Sequence, residues 1–309
     1  MVAVLNHKKF SWHNQPLDLE FGAALGRDDG QREGLHQMLG QLSWLSEQAG
    51  SERRVLALDE EQELVVDQTT EQVRLLMRVK QVLKERALML YAQPIQNREG
   101  EGYHEILTRM RCGDSVIMPD QFIPLIVQFN LSQRFDMLVL ETLFSVLHQH
   151  PGQRFSVNLL PATLMQKDSA VQIIALFQRY AVSPDLITIE VTEEQAFSNA
   201  DISQQNLEAL RAFGCAIAID DFGTGYANYE RLKHLQADII KIDGCFVRDI
   251  LTDPLDAIMV KSIVEMARAK QMSVVAEYVE SEPQKARLLE LGVNYLQGYL
   301  VGKPQPLGE

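Results

Sequence analysis

The chain is poor in cysteine: its 309 residues hold only Cys112, Cys215 and Cys245. An odd number at such wide spacing excludes a disulfide framework and a cysteine-ligated zinc site, and fits a reduced, cytoplasmic protein. Long apolar runs are missing too. No stretch approaches the roughly 20 residues needed to cross a bilayer, so the chain itself is expected to be soluble or to be the cytoplasmic portion of a membrane-anchored parent. Near the start, Lys8 and Lys9 follow the short apolar run instead of preceding it, the wrong order for a secretory signal. Basic charge is scarce: 29 Lys and Arg stand against 42 Asp and Glu, a net charge of −13. Without a Lys/Arg stripe, binding to duplex nucleic acid is excluded. There is no Gly-x-Gly-x-x-Gly after a strand and no Walker loop, so an open nucleotide-binding sheet lacks its usual marks. What is present is an ordinary apolar fraction of 46%, enough for a sizeable core.

Three regions differ in pattern. Residues 1–65 carry an alternation at Leu17, Leu19 and Phe21, a turn-rich stretch at 26–30, and a helical run with Leu35, Met38, Leu39, Leu42 and Leu45 on one face. A short strand over 54–58 closes the region, which holds too little chain for a robust independent core. Residues 66–85 read as one linker helix, with Thr69 and Gln72 as a capping box and Val73, Leu76, Met77, Lys80 and Leu83 near a 3.6-residue period. From 86 to 309 short β-type runs alternate with amphipathic helices. Strands are expected over 87–91, 104–110, 155–157, 186–189, 216–219, 239–240, 273–276 and 295–296, and helices over 136–147, 203–213, 255–269 and 282–291. Eight strands with helical crossovers predict an α/β fold, a TIM-type (β/α)8 barrel of parallel strands, with a doubly wound sheet as the alternative.

The residues that end these strands carry the chemistry. Asn158, Glu190, Asp220 with Asp221, Lys241, Glu277 and Gln297 each follow an apolar run, and Glu105 sits inside the second strand. In a β/α barrel such positions converge on one mouth. One carboxylate after a strand is ordinarily a helix cap or a solvated loop residue. Five at repeat spacing, with Asn, Lys and Gln in the same role, would repel one another unless cations lay between them. All are hard oxygen ligands, which favours Mg²⁺ or Mn²⁺ over zinc. Two such cations about 3.5–4 Å apart promote in-line attack of water on a phosphodiester. The adjacent Asp220 and Asp221 suit a bridging arrangement, and Lys241 could orient or deprotonate the water or pair with the carboxylates. His104, next to Glu105 in the strand, is turned to the opposite face.

These segments resemble the EAL-domain family of cyclic di-GMP phosphodiesterases over 86–309. The family's opening motif is matched by Tyr91-Ala92-Gln93-Pro94-Ile95. Its signature triplet appears as Glu105-Ile106-Leu107, with Arg109 two residues on. Further motifs appear as Asn158-Leu159-Leu160, Glu190-Val191-Thr192-Glu193, Asp220 to Tyr226, Lys241 to Val247, Val274 to Glu280 and Gln297 to Leu300. The resemblance implies hydrolysis of cyclic di-GMP to linear pGpG. Glu105, Asn158, Glu190 and Asp220 would hold one metal, and Asp220, Asp221 and Glu277 would hold or orient the second. Lys241 and Gln297 would handle the water, and Gln93, Leu107 and Arg109 would meet the dinucleotide. Glu193 would anchor the loop that begins at Phe222. Three positions depart from the family: Ile106 for Ala, Leu160 for Ser and Tyr278 for Gly. None removes a ligand.

Residues 1–65 resemble more faintly the C-terminal part of a GGDEF (diguanylate-cyclase-like) domain without its catalytic loop, which implies a fragment of a longer signalling protein with sensor or membrane domains upstream. The EAL resemblance of 86–309 further implies a homodimer, formed through helices near the Asp220 loop. A non-catalytic cyclic di-GMP receptor signalling through the 66–85 helix is the alternative function.

Overall fold

The computed structural model describes residues 10–12, 15–17, 23–25, 55–57, 63–113, 115–193, 201–223 and 236–307. The chain falls into two compact units, Met1–Gln81 and Val82–Glu309. In the first, Phe10–Trp12 and Gln15–Leu17 form an antiparallel hairpin, and Ala23–Leu25 pairs in parallel with Val55–Ala57. The strand expected over 54–58 is thus present. The alternation at 17–21 contributes only its first residue, and the rest of it, like the helix expected around Leu35–Leu45, lies outside the described residues. The helix Glu63–Glu85 begins earlier than the sequence suggested, so Thr69 and Gln72 fall inside it and not at its N-terminus. No proline or glycine lies between Glu63 and Thr69 to stop the helix from extending backward.

The second unit is a closed barrel. Its strands are β1 (Leu88–Gln96), β2 (Gly102–Cys112), β3 (Phe155–Asn158), β4 (Ile187–Thr192), β5 (Ala216–Phe222), β6 (Ile239–Ile242), β7 (Ser273–Ala276) and β8 (Tyr295–Gln297). They pair in chain order, and β1 closes the ring by bonding to both β2 and β8. Here the expectation of uniformly parallel strands is corrected: β2 to β8 are parallel, but β1 runs antiparallel to both its neighbours. The reason is local. β1 and β2 are joined by a tight turn in which the Asn97 side chain accepts from the N–H groups of Glu99 and Glu101, with Gly100 at φ +84°. So short a link can only reverse the chain, since a parallel pair needs a crossover of a dozen or more residues.

Both faces of the sheet are buried, as in parallel sheets covered by helices. Outward-facing Ile106, Val157, Ile189, Ile217, Ile219, Ile240, Val274 and Leu296 are covered. The helices Ser132–Val146, Ser169–Tyr180, Asp201–Phe213, Pro254–Ala269 and Glu282–Leu291 lie between successive strands, each within a few residues of its expected span where one was predicted. Inside, the lower half of the barrel is filled by Ile95, Tyr103 and Val275 with Ile239 and Tyr295 packed against them. Side chains two residues further along share that inward face. This is how the sheet delivers Gln93, Glu105, Lys241, Glu277 and Gln297 to one level above an apolar floor.

Candidate active site

Lys241 stands at the centre of that level. Its side chain is fully buried, and its Nζ lies 2.8 Å from Glu190, 2.8 Å from Glu277, 3.0 Å from Asp220 and 3.2 Å from Glu105. An ammonium has three N–H groups, so it cannot satisfy four carboxylates. The contact to Asp220 Oδ1 is an ion pair without hydrogen-bond alignment, and that oxygen, like Glu190 Oε1, is buried with no hydrogen-bond partner. Burial alone would push the Lys241 ammonium toward its neutral form. Asp220, Glu105, Glu190 and Glu277 outweigh it and hold the pKa well above the ordinary lysine value. In this arrangement Lys241 is a proton donor and counter-ion. Burial likewise raises Glu190 well above the usual carboxylate range, helped by Glu105, and pushes Glu277 up to about 8 against the pull of Lys241.

The amides complete the layer. Asn158 Nδ2 donates to Glu105 Oε1 at 2.8 Å, and Gln297 Nε2 donates to Glu105 Oε2 at 2.6 Å and to Gln93 Oε1 at 3.4 Å. Gln297 Oε1 is buried and has no donor. Gln93 reaches the far side of the mouth, donating to the Gly302 carbonyl at 3.2 Å. Gln93 and Glu105 stand directly opposite in the β1–β2 register, which is why the antiparallel closure matters to the site.

Adjacent residues of a regular strand point to opposite faces, yet Asp220 and Asp221 must both reach the mouth. The structure resolves this with a bulge. The β5–β6 register shifts between Ile219 and Phe222, and Asp221 adopts φ +54°. Such a bulge re-aims a side chain at the end of a strand. Burial and the neighbouring Asp220 raise the Asp221 pKa. One residue beyond β4, Glu193 accepts the Gly223 N–H at 2.8 Å, tying the end of β4 to the residue after β5.

Two carboxylate groups able to embrace a cation result. Oxygens of Glu105, Glu190 and Asp220 lie within 4.8 Å of one another, as do those of Asp220, Asp221 and Glu277, and Asp220 belongs to both sets. Five carboxylates gather here, four of them share one ammonium, and two of the buried oxygens lack donors. This surplus of unsatisfied hard anionic oxygen fits a pair of divalent cations.

A cavity of about 350 Å³ opens beside the layer, lined by Gln93, Glu105, Leu107, Arg109, Glu277, Tyr278, Glu280, Gln297, Gly298, Tyr299 and Pro304. The three residues assigned to substrate by resemblance, Gln93, Leu107 and Arg109, therefore line the same space as Glu105 and Glu277. Arg109 is held over the Tyr91 ring, 5.3 Å from its centroid, while one guanidinium N–H donates to the Thr108 carbonyl. His104 lies on the opposite strand face, its ring 5.9 Å from that of Phe155, and takes no part in the site. Ile106 shares that outer face, so its extra bulk over alanine is absorbed away from the ligands.

Sequence reasoning missed Asp136. Buried in the helix Ser132–Val146, it accepts from the Leu160 N–H at 2.9 Å and from the Thr163 hydroxyl, pinning the turn that follows Asn158. Burial raises its pKa to about 7. Its only sequence signal was a charge at a core position of an amphipathic helix.

Comparison with known proteins agrees with this geometry. The EAL domain family profile matches residues 76–304. The probable cyclic di-GMP phosphodiesterase PdeA of Escherichia coli K12 is 58% identical over the whole chain, which covers 43% of that protein. Cyclic di-GMP phosphodiesterase PdeF of the same organism is 38% identical over 98% of the chain, covering 41% of its own length. The chain thus spans less than half of these relatives. The solved structure of the PaMucR phosphodiesterase in complex with c-di-GMP superposes with a TM-score of 0.70 at 34% identity, covering 75% of this chain and 98% of that one. With a family match over residues 76–304 and relatives 58% and 38% identical along nearly the whole chain, the chain belongs to the EAL domain family.

Proposed function

We propose that this chain hydrolyses one phosphodiester of cyclic di-GMP to give linear pGpG, using two bound Mg²⁺ or Mn²⁺ ions. The observation that carries the reading is the cluster of five carboxylates, four of them around the one buried ammonium, open to a cavity lined by Gln93, Leu107 and Arg109. Glu105, Asn158, Glu190 and Asp220 would hold one cation, and Asp220, Asp221 and Glu277 the other. When bound, the cations supply charge stabilisation at the phosphoryl oxygens and a lowered pKa for water. The chain's own groups place the reactants. Lys241 Nζ would donate to the attacking water in place of one of its carboxylate contacts, and Gln297 Oε1, left without a donor, would accept from it. Arg109 carries the positive charge that meets the phosphate, with Gln93 and Leu107 framing the dinucleotide. Glu193 fixes Gly223 and through it the loop after β5. The water's oxygen joins phosphorus as the bond to the ribose 3′-oxygen breaks, and that oxygen ends protonated.

Purified protein incubated with cyclic di-GMP and Mg²⁺ or Mn²⁺ tests the proposal. pGpG is the expected product. No pGpG above a blank under either cation overturns it, and binding without cleavage would make the chain a receptor.

The three thiols are unpaired, which supports a reducing, cytoplasmic setting, and no described helix is long and apolar enough to cross a membrane. Leu251, Leu255, Ile258 and Met259 are exposed together at the start of the helix Pro254–Ala269, and this apolar face supports a homodimer, which light scattering would check. The small strands at 10–25 and 55–57 are compatible with a GGDEF remnant in a longer signalling protein.

A further inference from the structure

Tyr278 occupies a backbone conformation that a bulky residue rarely takes. Its φ is +55°, in the left-handed region, where the EAL resemblance places a glycine. Such outliers persist only where the surroundings fix them, and they cluster at functional sites. Here the surroundings do fix it. Glu277 N–H donates to the Ile242 carbonyl on one side, and Val279 N–H donates to the Gln297 carbonyl on the other. The next contact is Gly298, where a Cβ would stand 2.2 Å from the Val279 carbonyl oxygen, so the loop lies directly on the end of β8.

The ring has a prepared seat. A Cβ at Gly244 would stand 2.4 Å from Tyr278 Cδ2, so the ring rests on a position that only glycine leaves open. The Arg248 guanidinium lies 4.8 Å from its centroid. Despite these neighbours the side chain remains 52% exposed, and it lines the cavity that holds Glu277 and Gln297. Seated on Gly244 and Arg248, a large aromatic is thus kept half open to water beside Glu277, in a conformation that disfavours it. It has the form of a stacking platform.

We infer that Tyr278 stacks on a purine base of the dinucleotide, positioning the nucleotide whose phosphodiester lies at the carboxylate layer. The inference rests on the hydrolytic reading above and adds a recognition element to it. Aromatic side chains offer any base a π-face, and the Arg248 guanidinium steadies the Tyr278 ring by a cation–π contact.

The test uses the full chain with Tyr278→Gly, Tyr278→Asn and Tyr278→Phe. Glycine and asparagine both tolerate the left-handed conformation, so neither should lower the melting temperature, and one serves if the other folds poorly. Steady-state kinetics with Mg²⁺ and calorimetric titration of cyclic di-GMP with Ca²⁺ in place of Mg²⁺ give the readouts. The expected result is a rise in KM and Kd of roughly 5- to 100-fold for Gly and Asn, as loss of one base stack implies. kcat should change less than about twofold, and Phe should behave as Tyr does. Unchanged KM and Kd in Tyr278→Gly, with normal wild-type turnover, overturns the stacking role alone, as does a Phe variant as impaired as the Gly variant. If wild type binds but does not cleave, a Kd shift in the Gly variant upholds stacking while the hydrolytic reading falls. No binding by wild type sinks both.

Discussion

The interior of the barrel is two interiors on one set of strands. Two residues separate Tyr103 from Glu105 on β2, Val275 from Glu277 around β7, Ile239 from Lys241 on β6 and Tyr295 from Gln297 on β8. Below, apolar side chains pack against one another and hold the ring closed. Above, carboxylates crowd a single ammonium and leave oxygens unsatisfied. The floor is apolar apart from the buried Tyr103 hydroxyl, whereas the mouth is held in an electrostatically costly state by the strands beneath it. Such a division is expected where function and stability draw on different residues of one scaffold.

The largest effect should come from the mouth. Glu105→Ala removes an oxygen donor from the cation set and the partner of Asn158, Lys241 and Gln297 together. pGpG formation should fall by about 10³-fold or more, equivalent to ~4 kcal/mol or more of transition-state stabilisation, with the fold retained by circular dichroism. Turnover within tenfold of wild type would show that Glu105 is not a ligand.

Lys241→Met tests the charge balance. Removing one partner from a buried ionic group costs about 3–5 kcal/mol, so the cation-free variant should unfold at clearly lower denaturant. Divalent cation should then return about 2.7 kcal/mol at a hundredfold excess over its Kd, and urea titrations with and without Mg²⁺ measure both. A variant as stable as wild type without cation would mean that the carboxylates are not mutually repulsive.

The floor should behave oppositely. Ile95→Ala deletes fully buried methyl groups and should cost about 2–5 kcal/mol of stability, yet leave kcat within a few-fold. A large loss of kcat at preserved KM would break the separation between the two interiors.

The smallest effect concerns Asp136. Its folded pKa is raised to about 7 from an ordinary 3.8 by burial, so the folded state keeps a proton that the unfolded state has released. Its favourable contribution is therefore complete below about pH 4 and is lost as pH rises through 7. Asp136→Asn carries no titrating proton, and its stability should be flatter between pH 4 and 7 than that of wild type. Identical slopes in urea unfolding at pH 5 and pH 8 would remove Asp136 from the account.

The two interiors were not equally legible. Strand-end carboxylates announce themselves because each interrupts an apolar run, and repeat spacing turns weak single signals into a pattern. The floor is legible only as hydrophobicity: nothing in the sequence says that Tyr103 and Val275 meet. The antiparallel β1 is hard to read because Pro94 interrupts its β-type run and the turn at 97–100 has no Asn-Gly or Asp-Gly pair to mark a hairpin. Asp136 was hidden by its helix, where one acidic residue reads as solvent-facing. The bulge at Asp221 and the backbone of Tyr278 are conformations that residue type disfavours, so only tertiary structure could reveal them.

The central position of Lys241 has one more consequence. An ammonium fixed among four carboxylates acts as a resident keystone: it keeps the acidic groups gathered when no divalent ion is present, so that loading requires no reorganisation of the barrel. Ions arriving from solvent meet a vestibule already shaped for them, and their departure leaves it standing.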